Sequence, residues 1–236
     1  MKEALLLCVD VGHTMDEEFS EGSSRVKIAL ECCKLTLQQK LFNNATHELG
    51  LMCFGDNDSD DGNSLILKEL SRPSIDFVRK VEELSHARFD NARPGGDIFS
   101  ALNTALDHIE VHCGRKKYNK RMFLFTNGSG ASVLDVKDLR GIAERVGDLG
   151  VKVNIIPIDF MVSYHPAENS LGGEMMDGIQ DRNADMLMRL KEYESEFIQI
   201  FPASMAIELY KRFRKKDTNP VAKFRGNIEF APGLNA

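Results

Sequence analysis

The chain opens on an unbroken apolar run, Ala4-Leu5-Leu6-Leu7-Cys8-Val9, which stops at Asp10 and continues as Val11-Gly12-His13-Thr14. Such a run reads as a strand covered on both faces, and strands of that kind belong to parallel sheets sandwiched between helices. An aspartate at the carboxyl end of the strand sits at the sheet edge where open α/β sheets bind ligands. The residues that follow Asp10 therefore decide which chemistry that edge supports.

Further strand-like runs recur at 49–54, 122–126, 153–158 and 197–201, with a short edge strand expected at 65–67. Helical periods lie between them. Val26, Leu30, Cys33, Leu37 and Leu41 step by three or four after the capping candidates Ser23 and Ser24. Ile98, Leu102, Ala105, Leu106 and Ile109 follow Asp97, and Val136, Leu139, Ile142 and Val146 follow Asp135. This alternation predicts an α/β, doubly wound, mostly parallel sheet with helices on both faces. Its strand ends would gather Asp10, Gly12, Thr14, Asp56, Asp97, Thr126, Asn127 and Asp159 along one rim.

Residues 161–180 hold no period, carry Pro166, Gly172, Gly173 and Gly178, and read as a mobile surface insertion. Met205, Leu209 and Tyr210 suggest a final helix, followed by the basic cluster Lys211, Arg212, Arg214, Lys215 and Lys216. That cluster reads as a solvated turn or as a surface for an anionic partner. Residues 227–230 read as a lone strand start. The expected division is an α/β domain over 1–215 and the truncated start of a following β region over 216–236, cut from a longer protein.

Composition narrows the function classes. The net charge of −6 argues against a nucleic-acid clamp, in which neutralising phosphates dominates affinity. No apolar run approaches the ~18 residues of a membrane span. Cys8, Cys32, Cys33, Cys53 and Cys113 form no C-x-x-C pair and lie in apolar patterns, as reduced core thiols do. The compartment expected from them is cytosolic or nuclear.

Four constellations could carry chemistry. A metal-dependent adhesion site of the von Willebrand factor A kind uses Asp-x-Ser-x-Ser, a later Thr and a second Asp, all hard oxygen donors suited to Mg²⁺. The matching positions here are Asp10, Gly12, Thr14, Asp97 and Asn127, a ligand set depleted at Gly12, Asp97 and Asn127. A haloacid dehalogenase-like phosphotransferase would use Asp10 as nucleophile and Thr126 as its second motif. It lacks the general acid, because Gly12 stands in that place. The run Asp56-x-Asp58-x-Asp60-Asp61-Gly62 resembles a calcium loop, but its glycine falls one position late and Leu67 stands at the twelfth place. His108 and His112 lie four apart on one helix, without the Glu of a metalloprotease motif. Ordinary surface histidines and a solvated acidic loop are the readings favoured for the last two.

Together these features resemble the amino-terminal von Willebrand A-like domain of the larger subunit of the eukaryotic Ku heterodimer. The opening Leu7-Cys8-Val9-Asp10-Val11-Gly12-His13-Thr14-Met15 is similar to that subunit's start, where the metal motif is already reduced to Asp-Val-Gly-x-Thr-Met. Phe54-Gly55 before an Asp/Asn/Gly-rich loop, Asp97 heading a helix with Ala101-Leu102, and the strands at 122–126 and 153–158 follow in the family's order. Leu209-Tyr210-Lys211-Arg212-Phe213 and Phe224-Arg225-Gly226-Asn227-Ile228 resemble the passage into the Ku β-barrel. Asn127 departs from the aspartate the family often keeps, and 161–180 has its own sequence.

The resemblance implies a nuclear, non-enzymatic domain without cofactor, serving double-strand-break repair by non-homologous end joining. Implied partners are the smaller Ku subunit and Ku-binding-motif peptides of repair factors. Double-stranded DNA ends would be held by the full heterodimer rather than by this segment. Such peptides are basic and then apolar. Asp97, Asn103, Leu106 and Leu65 are the positions expected to meet them. Asp97 serves equally well as a helix cap, whereas for Leu106 a core position is the favoured reading.

Overall fold

A computed structural model describes residues 1–20, 23–55, 64–87, 89, 95–160 and 178–201. The acidic run 56–62, most of the expected insertion, the final helix with its basic cluster, and the 215/216 boundary lie outside the described residues.

The central sheet has six strands: β1 (Lys2–Asp10), β4 (Glu48–Phe54), β5 (Ser64–Ser71), β6 (Tyr118–Thr126), β7 (Val151–Pro157) and β8 (Ile198–Ile200). Their spatial order is β5-β4-β1-β6-β7-β8, and only β5 runs antiparallel to its neighbour. A small ribbon, β2 (Glu18–Ser20) and β3 (Ser23–Ser24), lies apart. The helices are α1 (His13–Asp16), α2 (Arg25–Asn43), α3 (Ile75–His86), α4 (Ile98–Cys113), α5 (Val136–Leu149) and α6 (Gly178–Tyr193). The doubly wound, mostly parallel sheet is as expected. The edge strand is longer than 65–67, α3 had not been anticipated, and α6 begins inside the stretch read as insertion.

Strand parity builds two cores. Ala4, Leu6 and Cys8 of β1 join Met122 and Leu124 of β6 beneath α4, α5 and α6. Leu5, Leu7 and Val9 point the other way, against Val26, Leu30 and Leu37 of α2 and Phe77 and Val81 of α3. All five cysteines are buried free thiols. Helices α2, α3 and α5 start on polar caps. Ser24 Oγ accepts from Lys27 N at 3.4 Å, Ser74 Oγ from Phe77 N at 3.2 Å, and Asp138 Oδ2 from Asp135 N at 3.3 Å.

The amino-terminal ends of the strands are closed by ion pairs. Glu48 accepts from Lys2 Nζ at 2.5 Å, His112 Nε2 at 2.8 Å and the Tyr118 hydroxyl at 2.9 Å. Glu3 meets Lys40, His47 Nδ1 at 3.0 Å and Arg121 at 3.4 Å. Burial opposes ionisation of Glu48, but its three donors outweigh that and hold the carboxyl at about 2. A lowered folded value gives stability that is full above the ordinary 4.5 and disappears as pH falls towards about 2. The urea midpoints of wild type and Glu48→Gln should therefore differ most above pH 4.5 and converge through that window.

Candidate functional site

The carboxyl ends of β1 and β6 meet at Asp10, which is fully buried. Its Oδ1 accepts from Gly12 N at 3.0 Å and Gly96 N at 3.1 Å, and its Oδ2 from Thr126 Oγ1 at 2.8 Å. Thr126 Oγ1 in turn accepts from Gly128 N at 3.0 Å. Burial pushes the Asp10 carboxyl up to about 6, and the three hydrogen bonds only partly oppose it. Both oxygens are committed to the protein, and no face of the carboxylate is open to a substrate.

Around Asp10 the rim is equally closed. Asn127 Nδ2 donates to Thr14 Oγ1 at 2.8 Å, and its Oδ1 accepts from Ser129 N at 3.3 Å. Arg25 Nη1 donates to the Thr14 carbonyl at 2.9 Å. Its Nε and Nη2 donate to Asp159 Oδ2 at 3.2 and 2.6 Å, and Glu17 lies 3.6 Å away. Asp159 holds a left-handed backbone, φ 54°, which aspartate tolerates better than most residues. These residues do not fit a divalent metal. Gly12 offers no side chain, Asn127 turns a donor towards Thr14, and a guanidinium already brings positive charge to the rim. Among the described residues, no three His, Cys, Asp or Glu side chains are grouped to hold an ion.

Arg25 was not anticipated. Its one sequence signal is a cation on the first residue of a helix, where the macrodipole disfavours it.

Backbone contact completes the rim. A Cβ placed on Gly130 would lie 2.0 Å from the Gly96 carbonyl oxygen. The loop after β6 and the segment before α4 therefore touch through glycine.

Asp97 caps α4 with one oxygen. Oδ1 accepts from Phe99 N at 3.0 Å and Ser100 N at 3.3 Å, while Oδ2 has no partner among the described residues. Asn103 is half-buried on the same helix. Leu106 corrects the expectation of a surface contact: it is completely buried in the core under α4. Leu65 is 46% exposed, but it pairs with Cys53 and so shares the sheet face of α2 and α3. The structure thus separates Leu65 from α4. Ile66 pairs with Met52 and packs on the α4 side instead. His108 Nε2 lies 3.1 Å from Glu69, so α4 and the edge strand are neighbours. His108 and His112, read as ordinary histidines rather than a zinc pair, face different carboxylates, His108 towards Glu69 and His112 towards Glu48.

The family model described as the Ku70/Ku80 N-terminal alpha/beta domain matches residues 4–169. The chain belongs to the Ku amino-terminal α/β domain family. It is 28% identical over 253 residues to X-ray repair cross-complementing protein 5 of Dictyostelium discoideum, covering 99% of this chain and 30% of that one. It is 22% identical over 245 residues to ATP-dependent DNA helicase 2 subunit KU80 of Arabidopsis thaliana, covering 99% and 33%. The chain therefore spans about a third of the length of these Ku relatives. Among solved structures, the SpRpn10 VWA domain superposes with TM-score 0.58 at 18% identity, covering 89% of this chain and 95% of that one. The pilus adhesin SpaC from Lactobacillus rhamnosus GG superposes at 0.59 and 13%, covering 90% and 30%. Those two likenesses establish the von Willebrand A fold alone.

Two outcomes check this geometry. A buried acid with a raised folded value stabilises most below its ordinary 3.8 and loses that contribution as pH rises through about 6. Asp10→Asn removes the charge but also one acceptor oxygen, so the advantage of wild type in urea midpoint should be greatest below pH 3.8 and shrink as pH rises through about 6. An advantage that grows with pH would mean that the negative charge itself is needed. Gly130→Ala should lower stability by about 2 kcal/mol, read from denaturant unfolding, because its Cβ has no space.

Proposed function

We infer that the chain serves as a non-enzymatic interaction domain of a Ku-type DNA end-binding protein in double-strand-break repair. The observation that carries this reading is the family match across residues 4–169. The closed rim supports it, because neither a metal nor a phosphoryl substrate reaches Asp10 in this arrangement. The metal-dependent adhesion and phosphotransferase readings both need that access. The wider role follows from the Ku relationship: pairing with the smaller Ku subunit, encircling DNA ends through the heterodimer, end joining, and residence in the nucleus.

The domain's own contribution is to dock short peptides that are basic and then apolar. The free Oδ2 of Asp97 receives the basic part, and Asn103 supplies hydrogen bonds beside it. Apolar contact comes from the edge strand: Ile66 on the α4 side, and Leu65 where the peptide crosses the edge. Leu106 takes no part.

Calorimetric titration with a Ku-binding-motif peptide, in Mg²⁺ and then in EDTA, tests the reading. Saturable binding of equal strength in both is expected. Asp97→Asn retains a good cap and loses the charge, so it should weaken binding roughly tenfold while leaving thermal stability nearly unchanged. Binding that disappears in EDTA would favour the metal-dependent adhesion reading. Unaltered affinity in Asp97→Asn would remove Asp97 from the contact.

A further inference from the structure

The opposite end of the sheet holds a second candidate surface. The loop from α4 into β6 and the start of that strand read Arg115-Lys116-Lys117-Tyr118-Asn119-Lys120-Arg121, five cations with no carboxylate between them, in a chain of net charge −6. Arg115, Lys116 and Lys117 are exposed, and none has an ion-pair partner among the described residues. Beside them lies a cleft of about 160 Å³, lined by Glu3, Asn119, Lys120, Arg121, Gly150 and Lys152 among others.

The sheet register makes this cleft electrostatically unbalanced. Arg121 of β6 sits directly beside Lys152 of β7. Like charges opposed across neighbouring strands repel. The one carboxylate of the cleft, Glu3, is already shared among Lys40, His47 and Arg121. Among the described residues Lys120 Nζ donates to the Leu149 carbonyl, at 2.9 Å, which anchors it without cancelling its charge. Lys152 is exposed and has no carboxylate partner among the described residues. An anion in the cleft would relieve the repulsion and complete the donors.

We propose that this cleft binds the phosphate of a phosphorylated serine or threonine in a partner peptide, held by Lys152, Lys120 and Arg121. A phosphate monoester brings close to two negative charges and three acceptor oxygens to one point. The cleft holds the volume of about five waters, room for one such group and not for a run of nucleic-acid backbone. This surface is independent of the α4 reading, since it lies at the amino-terminal ends of the strands and Asp97 at the other.

The test is an amide-shift NMR titration of the chain at fixed ionic strength. The probes are a phosphoserine peptide, its unphosphorylated twin, inorganic phosphate, and a 5′-phosphorylated DNA duplex. Saturable shifts at Asn119, Lys120, Arg121, Gly150 and Lys152 are expected with the phosphopeptide, weaker with inorganic phosphate, and absent with the twin. Lys152→Glu, at an exposed position, should weaken the phosphopeptide at least about tenfold and leave shifts elsewhere unchanged. Arg121→Gln should act in the same direction. No saturable shift at the cleft overturns the proposal. Inorganic phosphate binding as tightly as the phosphopeptide overturns the peptide assignment. Tighter, Lys152-dependent binding of the duplex replaces it with a nucleic-acid contact.

Discussion

One buried carboxylate organises the rim. Asp10 ends the central strand pair and joins three stretches of chain: its own turn through Gly12, the segment before α4 through Gly96, and the end of β6 through Thr126. A charge without partners at such depth would cost several kcal/mol, so the donors and the carboxylate require one another. The consequences run outward. Gly96 precedes Asp97, so the bond that satisfies Asp10 also sets where α4 begins. Thr126 passes the constraint to Gly128, and Gly130 then rests on Gly96. The position of the cap on α4, and the direction of its free oxygen, therefore derive from a residue in β1.

The rim also shows how a von Willebrand A scaffold can be cross-linked by its own side chains. A divalent cation in such a place would neutralise charge and cross-link loops. Here Asn127 and Thr14 supply a neutral cross-link, and Arg25 supplies the positive charge, tying the start of α2 to Asp159 after β7. Each replacement is covalently part of the chain and needs no free ion. Shared fold with SpaC or SpRpn10 thus carries no shared chemistry.

Legibility followed the range of the interaction that decides each feature. The strands at 4–9, 122–126 and 153–158 are covered on both faces, and their apolar runs show it. The edge strand was read too short because Lys68 and Glu69 interrupt its pattern and its pairing with β4 is irregular. Helix α3 was overlooked although Phe77, Val81 and Leu84 keep a helical step and Pro73-Ser74 before it was a start signal. Leu106 continues the period of Leu102 and Ile109 and belongs to the core, as that period said. The face on which Leu65 lies depends on its pairing with Cys53, which local sequence does not encode. Asp10 and Asn127 were recognisable as rim residues, yet their partners, 113 to 116 positions apart, were not. The basic run at 115–121 is plain in the sequence. Its cleft is not, because Lys152 and Gly150 come from the start of another strand.

The two ends of this sheet are electrostatically separate molecules in practice. Strand β1 has nine residues, and at ~3.3 Å per residue it spans about 30 Å. Exposed charges are screened beyond roughly 8 Å at physiological ionic strength. A ligand at the amino-terminal pole therefore feels Arg115, Lys116, Lys117, Lys120, Arg121 and Lys152 far more than it feels Asp97. Net charge describes neither pole. The sheet holds them rigidly apart, so a basic peptide at α4 and an anionic group at the cleft would bind without competing. On the proposed reading, two partners of opposite charge would in this way share one frame.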